Sequence, residues 1–289
     1  MSTNMLYADI GKQITIYGGI SIIITGVLGE SLNIIVFTSL KTFRQSSCAF
    51  YLTIMSLVNI GQLVTGVLSR VTTAIYNQDE TDSSLFYCKF RIYFVSVCGI
   101  ISFTCFCLAA IDQYFATSSR RRLQLLCNIK LARRLVIIFS VIWILHPIPY
   151  IIFNDRVRSS ITGKVTCTLT NTIYVQYRTY VNVLLFLGIL PSCILILFGI
   201  MAYYNVRCLS YYAVPLVRRE LDKQLTMMVL VRIVIFSFVI FPYIITTILQ
   251  ANINLFNDPT VKAQIQLNWT ITLIISNLNY SVSCYSMKF

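Results

Sequence analysis

The sequence predicts an all-α membrane protein, a seven-transmembrane helix bundle with its amino terminus outside the cell. Three observations lead to this fold class. Hydrophobic residues make up 57% of the 289 residues and charged residues only 11%, whereas a soluble domain carries about 25% charged residues. Seven apolar runs are each long enough to cross a hydrocarbon core of about 30 Å. Basic residues are denser in the connectors on one side of the membrane.

The seven runs form one domain that covers residues 1–289. The third run is the clearest, because no charge and no proline lies between Ile92 and Ile111. At about 1.5 Å per residue, a helix from Cys88 to Asp112 covers roughly 36 Å, which is enough to cross a bilayer. The predicted helices are residues 12–40, 48–76, 86–119, 131–153, 178–206, 222–250 and 263–288.

Several of the apolar runs contain residues that predict where the helix ends or bends. The first is too long for the apolar part of a cleaved signal peptide, so we expect it to span. The fourth ends at Pro147 and Pro149. The fifth and sixth contain Pro191 and Pro242, each of which breaks the helical ladder and permits a kink. The seventh is polar for a span, with several asparagines and serines.

Charge and cysteine positions indicate the orientation. The densest basic cluster, Arg120 to Arg134, follows the third helix and marks the cytoplasmic side. Cys88 and Cys167 then lie outside, on the oxidising side. The net charge of +13 is therefore interpreted as membrane topology, and no nucleic acid is expected as a partner. With one His and no Cys-x-x-Cys pair, neither a metal site nor a cofactor is expected.

The long outer connector from Asn154 to Gln176 has a local structure of its own. Its segment from Thr162 to Thr170 is rich in β-branched residues around Gly163. That pattern favours a β-hairpin.

Markers in order along the chain resemble a known family, the rhodopsin-like (class A) G-protein-coupled receptors, and its peptide receptors in particular. The resemblance covers essentially the whole chain. It rests on Asn33, Asn59, Cys88, Asp112-Gln113-Tyr114, Trp143, Cys167, Pro191 and Pro242.

The resemblance implies roles for these residues. Cys88 and Cys167 would form a disulfide that ties the outer connector over the mouth of the bundle. Pro191 and Pro242 would be hinges. The residues implied in G-protein coupling and switching are Asp112, Gln113, Tyr114, Asp222 and Arg232.

The chain also departs from the family at several markers. Gln113 stands in place of the arginine of Asp-Arg-Tyr, and Ile240 in place of the tryptophan of the sixth helix. The Asn-Pro-x-x-Tyr motif of the seventh helix is replaced from Ser283 onward. Because Asn59 replaces an aspartate, the sodium site of the family is in question.

Polar residues inside the spans leave two questions open. Such residues usually face the bundle. Asn33, Asn59, Asn279 and Ser283 form either one hydrogen-bonded polar core or separate packing contacts. Arg232 either extends to the cytoplasmic headgroups or points inward and supplies a cation near Asp112.

The candidate ligand-binding residues are Arg70, Arg91, Val95 and Tyr243. Val95 stands where amine receptors have an aspartate, and the seventh run lacks the lysine of light receptors, so amines and retinal are disfavoured. Cations mixed with aromatic side chains suit a carboxylate or a peptide. A simply solvated rim remains the alternative.

These observations favour a receptor in the plasma membrane, not an enzyme. The first hypothesis is a neuropeptide-like receptor that binds an extracellular peptide and signals to a heterotrimeric G protein by movement of the sixth helix. The second is a decoy or coupling-impaired receptor, because Gln113 replaces the arginine. The third is a transporter or channel, although no internal repeat is found.

Overall fold

The computed structural model describes residues 2–76, 84–158, 165–208 and 216–281. Within these residues, seven long helices confirm the predicted all-α bundle, and we name them α1 to α7 in chain order. Their bounds are α1 Ser2–Ser39, α2 Ser47–Tyr76, α3 Leu85–Thr117, α4 Ile129–Phe153, α5 Thr172–Arg207 with Cys208 as its last helical residue, α6 Leu216–Ala251 and α7 Pro259–Ser276.

Two of the helices change their winding. In α2, a π-helical segment, Leu63–Leu68, separates two α-helical parts. In α5, a longer π-helical segment covers Arg178–Ile189 and ends two residues before Pro191. Proline has no N–H to donate to the preceding turn, so regular winding cannot continue unchanged through this position. The outer half of α5 is therefore wider than an ordinary α-helix.

Side-chain caps explain where several helices begin. A serine, asparagine or aspartate before the first helical residue accepts a hydrogen bond from a backbone N–H of the first turn. The capping residues are Ser46, Ser84, Asn128, Asn171 and Asp258. The two hydrogen bonds that Thr260 donates also hold the pKa of the exposed Asp258 carboxyl below its usual value.

Several helix ends differ from the prediction, and α6, for example, begins at Leu216 rather than at residue 222. Helix α1 already begins at Ser2 rather than at residue 12, and α5 begins at Thr172 rather than at residue 178, because Asn171 caps it. The α-helical part of α7 ends at Ser276, and a 3-10 turn, Asn277–Tyr280, follows it. Residues 282–288, the predicted end of this helix, lie outside the described residues.

Six of the described helices, α1 to α6, are long and apolar enough to cross a membrane. Helix α7 has the length but carries more polar residues. The most hydrophobic stretch of α3 is 67% buried inside the bundle, against 11% for that of α4. Helix α3 is therefore the central helix, and α4 lies at the periphery where its apolar side chains face lipid.

Aromatic packing joins α3 to α6 and α7 in the middle of the bundle. The Phe236 ring lies 5.2 Å from the Phe103 ring and 6.2 Å from the Phe106 ring, measured between centroids. Tyr280 packs on Phe103 at 5.8 Å. Phe236 is 1% exposed. We call the rings of Phe103, Phe106, Phe236 and Tyr280 the aromatic layer.

A close approach at Gly26 brings α1 against α2 and the end of the described chain. A Cβ atom at this position would lie 2.6 Å from the Leu63 side chain and 2.9 Å from that of Ser281. No larger side chain fits there without displacing its neighbours.

The predicted hairpin is confirmed. Strand β1, Asn154–Arg158, pairs antiparallel with β2, Val165–Leu169, and Arg156 lies opposite Cys167. The six residues between the strands lie outside the described residues. Strand β1 follows α4 directly and packs on α3, so the hairpin sits at the end of the bundle where α3 begins.

Candidate functional site

A disulfide between Cys88 and Cys167 attaches the hairpin to the first turn of α3. The two Cα atoms are 5.8 Å apart, and Cys88 is fully buried. Asn154, at the start of β1, is also fully buried and donates from Nδ2 to the carbonyl of Tyr150 at 2.8 Å. The hairpin is thus fixed at two places over the outer end of the bundle.

The bundle contains a cavity of about 140 Å³. We call it the ligand cavity because three of the residues predicted to bind a ligand line it. Helices α2, α3, α5, α6 and α7 and the end of α4 all contribute to it. Its polar wall carries two guanidinium groups, from Arg70 and Arg178. Four buried carboxamides, those of Gln62, Asn182, Asn277 and Asn279, also line it.

The predicted ligand-binding residues divide between two cavities. Arg70, Val95 and Tyr243 line the ligand cavity, whereas Arg91 lines a neighbouring cavity of about 230 Å³ that also includes Arg70. The Arg70 guanidinium lies over the Trp269 ring, 5.6 Å from its centroid. Arg70 therefore forms the boundary between the two cavities, held by an aromatic ring of α7.

An aromatic cluster supports the cavity wall on the α4 and α5 side. The ring of Tyr174 lies 5.2 Å from that of Tyr150 and 5.6 Å from that of Tyr177. His146 Nε2 is 2.9 Å from the Tyr177 hydroxyl, so this histidine bonds within the cluster. Tyr150 in turn accepts a hydrogen bond from Asn182 at 3.0 Å, which fixes Asn182 at the cavity.

Deeper in the bundle, polar side chains from several helices form one connected network. Asn33 and Asn59 each donate to the carboxylate of Glu30, at 3.3 and 2.7 Å. Ser102 of α3 donates to Asn59 at 2.5 Å. Glu30 and Asn59 are both fully buried. Hydrogen bonds through Asn33 and Asn59 therefore join α1, α2 and α3, whereas the Asn279 side-chain Nδ2 has no hydrogen-bond partner.

Arg232 connects this network to α6 and α7. Its Nη2 atom lies 3.6 Å from Glu30 Oε1 and donates to the backbone carbonyl of Asn279 at 2.8 Å. Its guanidinium also lies 5.5 Å from the centre of the Phe106 ring. Its side chain is 11% exposed.

Arg232 therefore points inward, as one of the two interpretations of the sequence has it, but with a different acid as its neighbour. The side chain does not extend to the headgroups, and the acid that faces it is Glu30 of α1 rather than Asp112. The physical reason is that a buried guanidinium requires a nearby anion, and Glu30 lies within its reach across the bundle.

The inner end of α3 carries the Asp-Gln-Tyr triplet. The Asp112 carboxylate accepts a hydrogen bond from the Ser47 hydroxyl, which lies 2.7 Å from both of its oxygens. Gln113 is 1% exposed, and its Oε1 accepts from Thr226 of α6 at 3.0 Å. The Tyr114 ring packs on that of Phe198 with centroids 5.6 Å apart. The triplet thus contacts α2, α6 and α5.

Four further predicted residues are placed as follows. Pro191 is buried just after the π-helical part of α5, and Pro242 is exposed inside α6. Asp222 lies on α6, but its side chain is outside the described part of the structure. Ser283 lies outside the described residues altogether, so its membership of the polar core remains a prediction.

The partners that complete these contacts do not stand out in the sequence. Glu30 is an acid inside the first apolar run, and local pattern assigns no partner to it and no role to Ser47, Ser102 or Thr226. An acid and a base within two different spans, Glu30 and Arg232, were the available signal, because buried charges are usually paired. For the three hydroxyls the sequence gives no comparable signal.

The polar core does not fit a bound sodium ion. The Glu30 carboxylate already accepts from Asn33 and Asn59, and it faces the positive charge of Arg232. A cation placed there would lie against a guanidinium. Among the described residues no group of three His, Cys, Asp or Glu side chains could hold a metal.

The sequence is similar to a known family of proteins over most of its length. Residues 31–285 match the seven-transmembrane receptors of the rhodopsin family. A search among curated proteins returned no match. The matched range covers most of the chain and includes the disulfide, the ligand cavity and the Asp-Gln-Tyr triplet. The chain therefore belongs to the rhodopsin family of seven-transmembrane receptors, which are G-protein-coupled receptors.

Proposed function

We propose that this receptor lies in the plasma membrane and binds an extracellular peptide in the ligand cavity. It couples to a heterotrimeric G protein at the inner end of the helix bundle. One observation carries the proposal most directly. Helix α3 connects the two ends, because it is disulfide-bonded to the hairpin at Cys88 and carries the Asp-Gln-Tyr triplet near its other end. Because the chain belongs to a family of receptors, the hypothesis of a transporter or channel is disfavoured.

The shape and chemistry of the ligand cavity support a peptide. At about 140 Å³ it is smaller than the roughly 300–1,000 Å³ of a typical small-molecule pocket. A peptide can place one end in such a cavity while the rest contacts the hairpin and the outer ends of the helices. Val95 supplies no carboxylate for an amine, and the wall instead carries Arg70 and Arg178.

Helix α6 provides a route from the cavity to the inner end. Ile240 and Tyr243, on either side of Pro242, both line the cavity. Below them on the same helix, Phe236 packs in the aromatic layer and Arg232 contacts the polar core. A ligand that favours another position of Ile240 and Tyr243 would shift the equilibrium between two packings of α6.

The contact between Gln113 and Thr226 gives the experiment that tests this proposal. We expect Thr226→Val to raise basal GTP exchange about two- to tenfold, because one buried hydrogen bond between α3 and α6 contributes about 0.5–1.5 kcal/mol. The measurement is nucleotide exchange by purified G proteins mixed with the receptor in nanodiscs.

A matched control is Thr247→Val, because Thr247 lies on the same helix but bonds to the carbonyl of Tyr243 within it, at 2.7 Å. This variant should leave basal exchange unchanged. If neither wild type nor Thr226→Val stimulates any class of G protein while both reach the cell surface, the coupling proposal is wrong.

A coupling-impaired or decoy receptor is the second candidate function. It is favoured by the neutral Gln113, which is 1% exposed and bonded to Thr226, where the family has a cation. Gln113→Arg in the same assay separates the two candidates. If only the Gln113→Arg variant stimulates nucleotide exchange, the decoy function is favoured. Gln113→Lys is the control, because it adds a positive charge without the planar guanidinium.

A further inference from the structure

We propose that the ligand cavity is a carboxylate site, in which Arg70 and Arg178 bind the anionic group of the ligand. The inference rests on the proposed receptor function and specifies the ligand class of the same cavity. The carboxylate belongs either to the last residue of a peptide or to a small organic acid, and the experiment below distinguishes these sources.

The cavity wall is positively charged. Arg70 reaches it from α2 and Arg178 from α5, so two cations face the cavity from different helices. None of the described residues that line it is acidic. Arginine presents a planar fork of N–H donors that matches a carboxylate. A ligand that carries a positive charge and no carboxylate would be repelled by both side chains.

Three buried amide atoms of the cavity wall have no hydrogen-bond partner. Asn279 Nδ2 is an unpaired donor, while Gln62 Oε1 and Asn182 Oδ1 are unpaired acceptors. The three residues are 6%, 8% and 3% exposed. A buried polar group without a hydrogen bond is costly. The donor suits a carboxylate oxygen, and the acceptors suit an N–H group close to it.

The size of the cavity limits what it can hold. A cavity of about 140 Å³ is close to the roughly 150 Å³ of an engineered cavity that holds benzene. It therefore holds one side chain rather than a whole peptide. Val95, Leu187 and Ile240 provide apolar wall beside the polar groups. A carboxylate, an adjacent N–H and one apolar side chain together describe the carboxyl-terminal residue of a peptide, or an acylated amino acid of similar size.

The probe that carries these three features is N-acetylleucine, compared with the neutral N-acetylleucinamide. The measurement is the melting temperature of the purified receptor in nanodiscs at increasing probe concentration. A ligand that binds the folded state raises this temperature. We expect the free acid to raise it in a concentration-dependent manner and the amide to have no effect.

Variants locate the effect. Arg178→Gln and Arg70→Gln should each abolish the shift, and Arg178→Lys should retain part of it. Lys262→Gln is the matched control, since Lys262 is a basic residue of α7 that does not line the cavity. If a variant does not fold, the comparison of acid with amide on the wild-type receptor still tests the inference.

Pentapeptides ending in leucine, with a free or an amidated carboxyl terminus, complete the experiment. If free-acid peptides give larger shifts than N-acetylleucine, the carboxylate belongs to a peptide. If N-acetylleucine gives the larger shift, the carboxylate site stands and the peptide proposal fails. If acids and amides give equal shifts, or none, or if both arginine variants keep the full response, the carboxylate inference is wrong while the receptor can still be tested by GTP exchange.

Discussion

Replacing Arg232 by leucine is expected to destabilise the receptor by roughly 3–5 kcal/mol. The reason is that Glu30, which is fully buried, would lose the guanidinium 3.6 Å from its carboxylate. An unpaired carboxylate in a bundle surrounded by lipid has no water to stabilise its charge. The carbonyl of Asn279 would lose its donor as well. The measurement is the thermal unfolding of the purified receptor in detergent.

Arg133→Leu is the matched control for this prediction. Arg133 is an exposed arginine that also lies over a phenylalanine, with its guanidinium 6.0 Å from the centroid of Phe50. An exposed cation–π contact of this kind contributes about 0.5–1 kcal/mol. Its removal should therefore cost far less than the removal of Arg232.

The double variant Glu30→Gln with Arg232→Met adds a second comparison. It removes both charges, so it should be more stable than Arg232→Leu alone, because no buried charge is left without a partner. An Arg232→Leu receptor as stable as wild type would contradict the structural role of the pair.

Replacing Cys88 by alanine is the second change with a large expected effect. The disulfide with Cys167 closes a loop with a sequence separation of 79, and cross-links of that length stabilise by about 4 kcal/mol in the chain-entropy account. The variant also releases the hairpin from α3. We therefore expect a lower unfolding temperature and much less receptor at the cell surface, measured by thermal unfolding and by surface labelling.

Cys193→Ala is the control, because Cys193 is an exposed free cysteine of α5. It should leave both readouts unchanged. Mass spectrometry of non-reduced peptides should identify the Cys88–Cys167 link directly. Equal stability and surface delivery of Cys88→Ala and wild type would show that the link is not needed to hold the outer end together.

The fold was predictable because lipid constrains the sequence strongly. Long apolar runs and basic connectors predict the seven helices and their orientation, and the β-branched segment around Gly163 predicts the hairpin. The disulfide between Cys88 and Cys167 is implied by the resemblance to the receptor family. Helix ends that depend on a capping side chain were less predictable than the existence of the helices. Helix α5 begins six residues earlier than expected because of the Asn171 side chain, and α7 changes to a 3-10 turn at Asn277.

The polar contacts across the bundle were not predictable from local pattern. Glu30 and Arg232 lie on α1 and α6, and only the packing of the whole bundle brings them together. The same holds for Ser47 with Asp112 and for Thr226 with Gln113. Short hydroxyl side chains are common in membrane helices, so nothing in the sequence distinguishes these two from the others.

The orientation of the bundle tests the central claim most directly, since the cavity must face outward and the Asp112–Tyr114 corner inward. Epitope tags can be inserted at two exposed connector residues, Leu255 between α6 and α7 and Leu125 between α3 and α4. The receptor account predicts that antibodies bind the Leu255 tag on intact cells and the Leu125 tag only after permeabilisation. Binding of the Leu125 tag on intact cells, or of both tags on the same side, would contradict it.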